Sequence, residues 1–373
     1  MSPLVQDGVS MYNNRQHGDS SGEPRPTGGC WLWAKFPQFL LLSVCVIGVS
    51  ILSLLVSSIS VASTIADGFN VPTAVAVGGS HVWVLNELGS SVTELNASNG
   101  SLVRVINAPA DGFKGLHNVA VGGSHVWVTD YAGSSVTELN ASNGSLVRVI
   151  NAPADGFKGP LDVAVSGSHV WVTNFIFNPH SNSVTELNAS NGSLVRVINA
   201  TADGLNEGDV AGGSHVWVTN EVGSSVTELN ASNGSLVRVI NAAADGFNGP
   251  SAVAIGGSHV WVVNVAGSSV TELNASNGSL VRIINAAADE LNSPTAVAVS
   301  GSRVWVTNAR GNSVTELNAS NGSLVRVINA TADEFRFPSG VAIGGSHVWV
   351  VNATGNSVTE LNASNGSLVR VIS

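Results

Sequence analysis

HVWVLNELGSSVTELNASNGSLVRVI, residues 81–106, holds three β-strands and two turns in 26 residues. His81–Asn86 alternates around Val82, Trp83 and Val84. Ser91–Asn96 and Leu102–Asn107 are rich in Val, Thr, Leu and Ile, and Ala97–Gly100 between them is made of turn residues. Period-2 patterning broken by Gly, Asn and Ser at short intervals is the signature of antiparallel hairpins. A fourth strand precedes the stretch, Ala74–Val77, joined to it by the turn Gly78-Gly79-Ser80. The unit is therefore four strands, A to D, in chain order.

The unit recurs. Its marker tryptophans are Trp83, Trp127, Trp171, Trp217, Trp261, Trp305 and Trp349, spaced 44, 44, 46, 44, 44 and 44 residues apart. SVTELNASNGSLVRVI occurs seven times with one change, Ile283 for Val. A fixed period in this range marks a solenoid or a propeller, and four antiparallel strands in about 44 residues make one propeller blade. The expectation is an all-β, seven-bladed propeller over residues 63–373. Every unit has A to D in the same order, so the ring closes without exchanging a strand, although residues 57–65 align loosely with a strand D.

Residues 1–35 are polar and rich in Ser, Gly, Asn and Pro, the composition of a disordered segment. Phe39–Val61 is an uncharged apolar stretch of 23 residues, long enough to span a bilayer. Arg15, Arg25 and Lys35 precede it and the next basic residue is Arg104, which places the N-terminus in the cytoplasm and the repeats outside. Residues 36–62 read either as a single-pass signal anchor in the cell membrane or as a signal peptide cut after Ala62, where Ser60-Val61-Ala62 puts small residues at the cleavage positions.

The net charge of −10, with charged residues at 11%, offers no basic stripe for nucleic acid. Both cysteines, Cys30 and Cys45, precede the repeats, so the propeller has neither a disulfide nor a thiolate metal site.

The motif HVWVTN followed by SVTELNASNGSLVRVI resembles the YVTN-repeat family of β-propellers, and less closely NHL repeats and virginiamycin B lyases. The resemblance covers Asp67–Ser373. It implies a surface or extracytoplasmic bacterial or archaeal propeller. The family is functionally mixed and carries no catalytic residue over.

Near-identical units build a symmetric ring, whereas a specific site needs asymmetry. Variation is confined to the D–A and B–C connections, which fall on one face of the ring, and loops on a rigid frame carry function. Blade 3 has a four-residue insertion at Phe175–Asn182, FIFNPHSN, bringing Phe175, Phe177 and His180 where other blades have a short Gly/Ser turn. Blade 4 is two residues shorter at Leu205–Gly212 and adds Glu207 and Asp209, while His117 and Asp162 open strand A in blades 2 and 3. These seven residues are the candidate ligand-binding set. The competing readings of the same features are loop drift and a loop folded onto its own blade.

Other repeated residues read as structural. His81, His125, His169, His215, His259 and His347, with Arg303 in the sixth unit, spread around a ring instead of converging on one ion. Asn86 and its copies cap the B–C turn, and Asp67 and its copies are turn residues. Glu94 and Arg104 and their copies are cross-strand surface or inter-blade pairs. The NAS and NGS sequons read as turn chemistry, or as glycosylation in a eukaryote. No catalytic residue, metal or cofactor is assigned. The function expected is a membrane-tethered extracytoplasmic binding module for a protein, peptide or glycan. The alternatives are a metal-dependent lyase or hydrolase at the channel mouth and a structural surface protein.

Overall fold

The structure is a computed structural model that describes residues 68–107, 112–175, 182–199, 204–206, 208–285 and 290–373. It contains seven four-stranded antiparallel sheets, each ordered A-B-C-D. In blade 1 the strands are Pro72–Gly78, His81–Asn86, Ser91–Asn96 and Leu102–Ile106. No α-helix occurs among the described residues; three D–A connections contain one turn of 3-10 helix, such as Pro153–Asp155. The apolar stretch 39–61, the preceding polar segment and the cleavage site lie outside the described residues. Among those described, no helix is long and apolar enough to cross a membrane.

Blades are joined by tryptophan. Alternation along strand B sends Val82 and Val84 to one sheet face and Trp83 to the other. Trp83 packs against Val126, Val128 and Leu139 of the next blade. The same set recurs around the ring and closes it, with Trp349 against Phe69, Val82, Val84 and Leu95 of blade 1. All seven tryptophans are at most 1% exposed. The core is thus seven equivalent wedges between blades.

The invariant face is pinned by buried carboxylates: of the two readings of Glu94 and Arg104, the structure shows a cross-strand pair that also reaches the next blade, with its Glu94 end buried. Glu94 lies opposite both Trp83 and Arg104 on strand C and is completely buried. His81 Nδ1 is 2.7 Å from Glu94 Oε1 and Arg104 Nε is 2.8 Å from Oε2. Arg104 also donates to the Asn143 carbonyl in the C–D turn of blade 2. The histidine ring is therefore a set of partners for buried glutamates, and Arg303 fills the same role toward Glu316 at 2.9 Å.

The repeated Asn after strand B does more than cap its own turn. Asn86 Nδ2 donates to Ser91 Oγ and Thr93 Oγ1, and Asp130 accepts from the N–H groups of Lys114, Gly115 and Gly133. These side chains tie the D–A connection to the B–C end. Where described, the D–A aspartates act locally: Asp155, Asp245 and Asp333 accept from the N–H three residues earlier at 3.0–3.1 Å.

Candidate functional site at the channel mouth

Strand A is the innermost strand and carries an extra residue at its channel end. In blade 1, Pro72 pairs with Asn86 but Ala74 pairs with Leu85, leaving Thr73 as a bulge. The same irregularity occurs in blades 2, 3, 5, 6 and 7. A bulge re-aims side chains and is common at sites. Two rings of residues consequently face the channel. One is Thr73, His117, Leu161, Gly208, Ser251, Thr295 and Ser339. The other is Ala74, Asn118, Asp162, Asp209, Ala252, Ala296 and Gly340. Asp209 joins the second ring because Val210 pairs with Val218 as Val75 pairs with Val84. One residue of the blade 4 shortening is thus absorbed by a tighter A–B turn, closed by Gly213 N to His215 O, and the other is lost ahead of Val210 in the D–A connection.

The second ring breaks the symmetry. Four blades place Ala or Gly there, and three consecutive blades place Asn118, Asp162 and Asp209. These three are linked from blade to blade. Asn118 Nδ2 donates to Asp162 Oδ1, and Val210 N–H lies 2.7 Å from Asp162 Oδ2 and 3.0 Å from Asp209 Oδ1. Asp209 Oδ2 accepts from Val253 N–H of blade 5 at 2.9 Å. Beneath them is a layer of threonines. Thr129, Thr173 and Thr219 accept from the N–H groups of Asn118, Asp162 and Asp209 at 2.8, 3.1 and 2.7 Å. Thr129 and Thr173 also donate to carbonyls of the following blade, Leu161 and Gly208. Blades 1, 5 and 7 have Leu85, Val263 and Val351 at this place, and Thr307 in blade 6 supports Ala296 alike.

Electrostatics follow from burial. Asp162 is 5% exposed, and burial together with the negative charge and hydrogen bond of Asp209 holds its carboxyl well above the ordinary 3.8. Burial also raises Asp209, opposed by the hydrogen bond from Asp162 and by the Val253 and Val210 N–H groups. Two carboxyls this close titrate as a pair, each making it harder to ionise the other. His117 is pushed down by burial, and its Nδ1 lies 3.1 Å from the Leu161 carbonyl. That partner requires Nδ1–H, so the neutral ring keeps Nε2 as its acceptor.

The two rings enclose a cavity of about 320 Å³, at the small end of the range for ligand pockets. His117, Asn118, Asp162 and Asp209 make one wall, and Ala252, Ala296, Val297, Gly340 and Val341 the opposite one. Glu87, Glu221 and Val265 on the B–C loops and Phe337 on a D–A loop form its rim. Phe337 has φ 55°, as Val71 has φ 51° at the equivalent place before the strand-A proline of blade 1. Blades 3 and 5 use Gly159 and Gly249 there, the residue type that tolerates this region. Where a bulky residue stands instead, the preceding blade supplies an asparagine. Asn312 Oδ1 accepts from Phe337 N–H at 2.8 Å, and Asn356 Oδ1 from Val71 N–H at 2.7 Å.

Of the seven expected site residues, His117, Asp162 and Asp209 converge on this cavity. Phe175 is corrected: it is 7% exposed, with its N–H on the Gly159 carbonyl at 3.0 Å, because it occupies the packed first position after strand B. Phe177, His180 and Glu207 lie outside the described residues. Asn118 was not anticipated, although aligning the seven strand-A starts exposes it beside Asp162. Among the described residues no group of three or more His, Cys, Asp or Glu side chains is placed to hold a metal ion.

No protein-family model matches the chain, and no curated protein matches it in sequence. The YVTN-repeat resemblance therefore rests on the motif alone. Solved structures resemble it in fold. A catalytically inactive virginiamycin B lyase from Staphylococcus aureus with quinupristin superposes with TM-score 0.66 at 17% identity, covering 79% of this chain and 95% of that one. A streptogramin B lyase gives 0.66 at 16% identity over 79% and 94%. Kuenenia stuttgartiensis hydrazine synthase gives 0.65 at 16% identity over 83% and 100%. At these identities the likeness is one of propeller fold.

Proposed function

We propose that the chain is a binding module that takes a small ligand, or one residue of a peptide or glycan, at the channel mouth on its variable face. In this reading the apolar stretch 39–61 holds the propeller on the outer side of a membrane. One observation carries the reading: in a ring of near-verbatim units, polarity is concentrated in three consecutive blades, on the wall of a cavity and with its own threonine support. Loop drift alters exposed positions singly. It has no reason to place Asn118, Asp162 and Asp209 at one ring position on the cavity wall.

The test is ligand-observed NMR of a fragment mixture against the purified full chain in mild detergent, repeated with Ala252→Phe, which fills the cavity from blade 5. The reading expects saturable hits that Ala252→Phe abolishes. Hits indifferent to the substitution, or none, would leave the face without a specific site and favour a structural surface protein.

The lyase-like alternative has one point in its favour, the placement of the His117 imidazole and the Asp162–Asp209 carboxyl pair in the same cavity. It calls for a loss of thermal stability on chelation that is reversed by divalent metal, since a metal bound only to the folded state must stabilise it.

A further inference from the structure

The cavity has two unlike walls and a defined deficit of hydrogen-bond partners. At the first ring position, Thr295 Oγ1 donates to the Pro338 carbonyl at 3.0 Å and Ser339 Oγ to the Pro72 carbonyl at 3.2 Å. Thr73 Oγ1 and Ser251 Oγ occupy that same position, are buried from solvent, and have no partner. They belong to blades 1 and 5, the two blades that flank the acidic sector of blades 2 to 4. Buried polar groups without partners are rare and call for an explanation. These two stand on either side of the carboxyl pair.

The charge of the pocket floor is equally specific. Asp162 and Asp209 converge on the single N–H of Val210, so their mutual repulsion favours a positive charge beside them. Among the described residues no lysine or arginine lines the cavity, and the other titratable groups there are His117, Glu87 and Glu221. A divalent ion needs more ligands than this, with six to eight oxygens usual for calcium. Across the cavity, Ala252, Ala296, Val297, Val341 and Phe337 offer an apolar surface and one aromatic ring.

We propose that the channel mouth binds a protonated amine on a compact apolar body, its N–H groups on the Asp162–Asp209 pair and its apolar part against blades 5 to 7. This rests on the reading of the channel mouth as a binding site. The ammonium supplies donors to carboxyl oxygens that have spare lone pairs, and its positive charge offsets the repulsion between the two carboxyls. Phe337 adds an aromatic ring of the kind that favours cations.

Benzylammonium is the probe, titrated calorimetrically into the purified full chain at pH 7.5, with benzyl alcohol and magnesium chloride alongside. One saturable site for benzylammonium is expected, with benzyl alcohol weaker by about tenfold or more. Asp162→Asn removes one of the two carboxyls and should weaken binding by about threefold, less than the double variant does. The double variant Asp162→Asn/Asp209→Asn keeps the shape but removes the charge, and should lose about tenfold or more. An unchanged melting temperature for these isosteric variants shows that the fold is intact. Equal binding of benzyl alcohol, or full benzylammonium affinity in the double variant, would overturn the amine class while leaving the cavity a binding site. Saturation by magnesium in place of the amine would do the same. Absence of any benzylammonium binding also overturns the proposal, and the Ala252→Phe fragment comparison then decides separately whether the binding-site reading falls with it.

Discussion

Asn312 and Phe337 show how a single side chain decides local backbone shape. Phe337 stands in the left-handed region at φ 55°, which costs a bulky residue about 1–3 kcal/mol. The hydrogen bond from its N–H to Asn312 Oδ1, at 2.8 Å, offsets part of that cost and fixes the ring at the cavity rim. Serine stands at the Asn312 position in four other blades, as Ser90, Ser134, Ser224 and Ser268, and is too short for the same reach. Asn312→Ser should therefore destabilise the protein by about 1 kcal/mol. In a Phe337→Gly background, where the left-handed conformation is free of strain, the same change should cost half of that or less. Chemical denaturation of the four proteins of this cycle measures the coupling; strictly additive losses would disprove the clamp. Sequence shows the Asn-for-Ser exchange in blades 6 and 7 but not its purpose, because donor and acceptor sit 25 and 285 residues apart. Asp162 and Asp209 were legible as odd residues at strand starts. Their contact was not, since it depends on the two-residue blade 4 deletion being split between the D–A connection and the A–B turn.

At the level of the strand and the blade, one repeat unit already contains most of the fold. Alternation on His81–Asn86 sets which side of the sheet Trp83 faces, and the Gly and Asn turns set the hairpins. Gly100, with φ 68°, sits where an added Cβ would meet Arg370 and Ile372 of the neighbouring blade at 2.9 and 2.8 Å, so the C–D turn is glycine for packing as well as for conformation. The burial of Glu94 was not legible because it is imposed by the neighbouring blade, which a pattern within one strand does not reveal. Glu94 has two side-chain partners, His81 and Arg104, both partly exposed, so solvent screens part of the pairing. Glu94→Gln preserves volume but puts an amide NH2 where a carboxyl oxygen now faces His81 Nδ1 or Arg104 Nε. Loss of one member of such a buried set costs about 2 kcal/mol when the others can reach water. The melting temperature should fall, and Glu360→Gln at the ring seam should behave alike because the seam is built as every other interface is. A neutral result for both would mean that the set contributes nothing to joining the blades.

Across the whole ring, symmetry supplies stability and its local failure supplies specificity. Nine carboxyls among the described residues are raised by burial, namely Glu94, Glu138, Asp162, Asp209, Glu228, Glu272, Glu316, Asp333 and Glu360, and none is lowered. A raised folded-state carboxyl binds its proton more tightly than in the unfolded chain. Its contribution is greatest below its unfolded value, 4.5 for Glu and 3.8 for Asp, and is lost as pH rises through the folded one. His117, lowered by burial, acts in the opposite sense below 6.5, but it is one group against nine. The melting temperature should accordingly hold or rise between pH 7 and pH 4.5, and a steep fall across that interval would contradict the account. The global architecture was legible because the period of 44 residues and the tryptophan count define seven blades. The site was only partly legible, since it is formed by residues from three blades at one ring position and by partners in a fourth. Its defining property is that Asp162 and Asp209 meet at the Val210 N–H and titrate as a pair. The most direct test is a carboxyl-carbon NMR titration of these two residues in the full chain, assigned by Asp162→Asn and Asp209→Asn. The account predicts two separate steps, with one proton retained well above the ordinary 3.8. Both groups titrating together near 3.8 would contradict it.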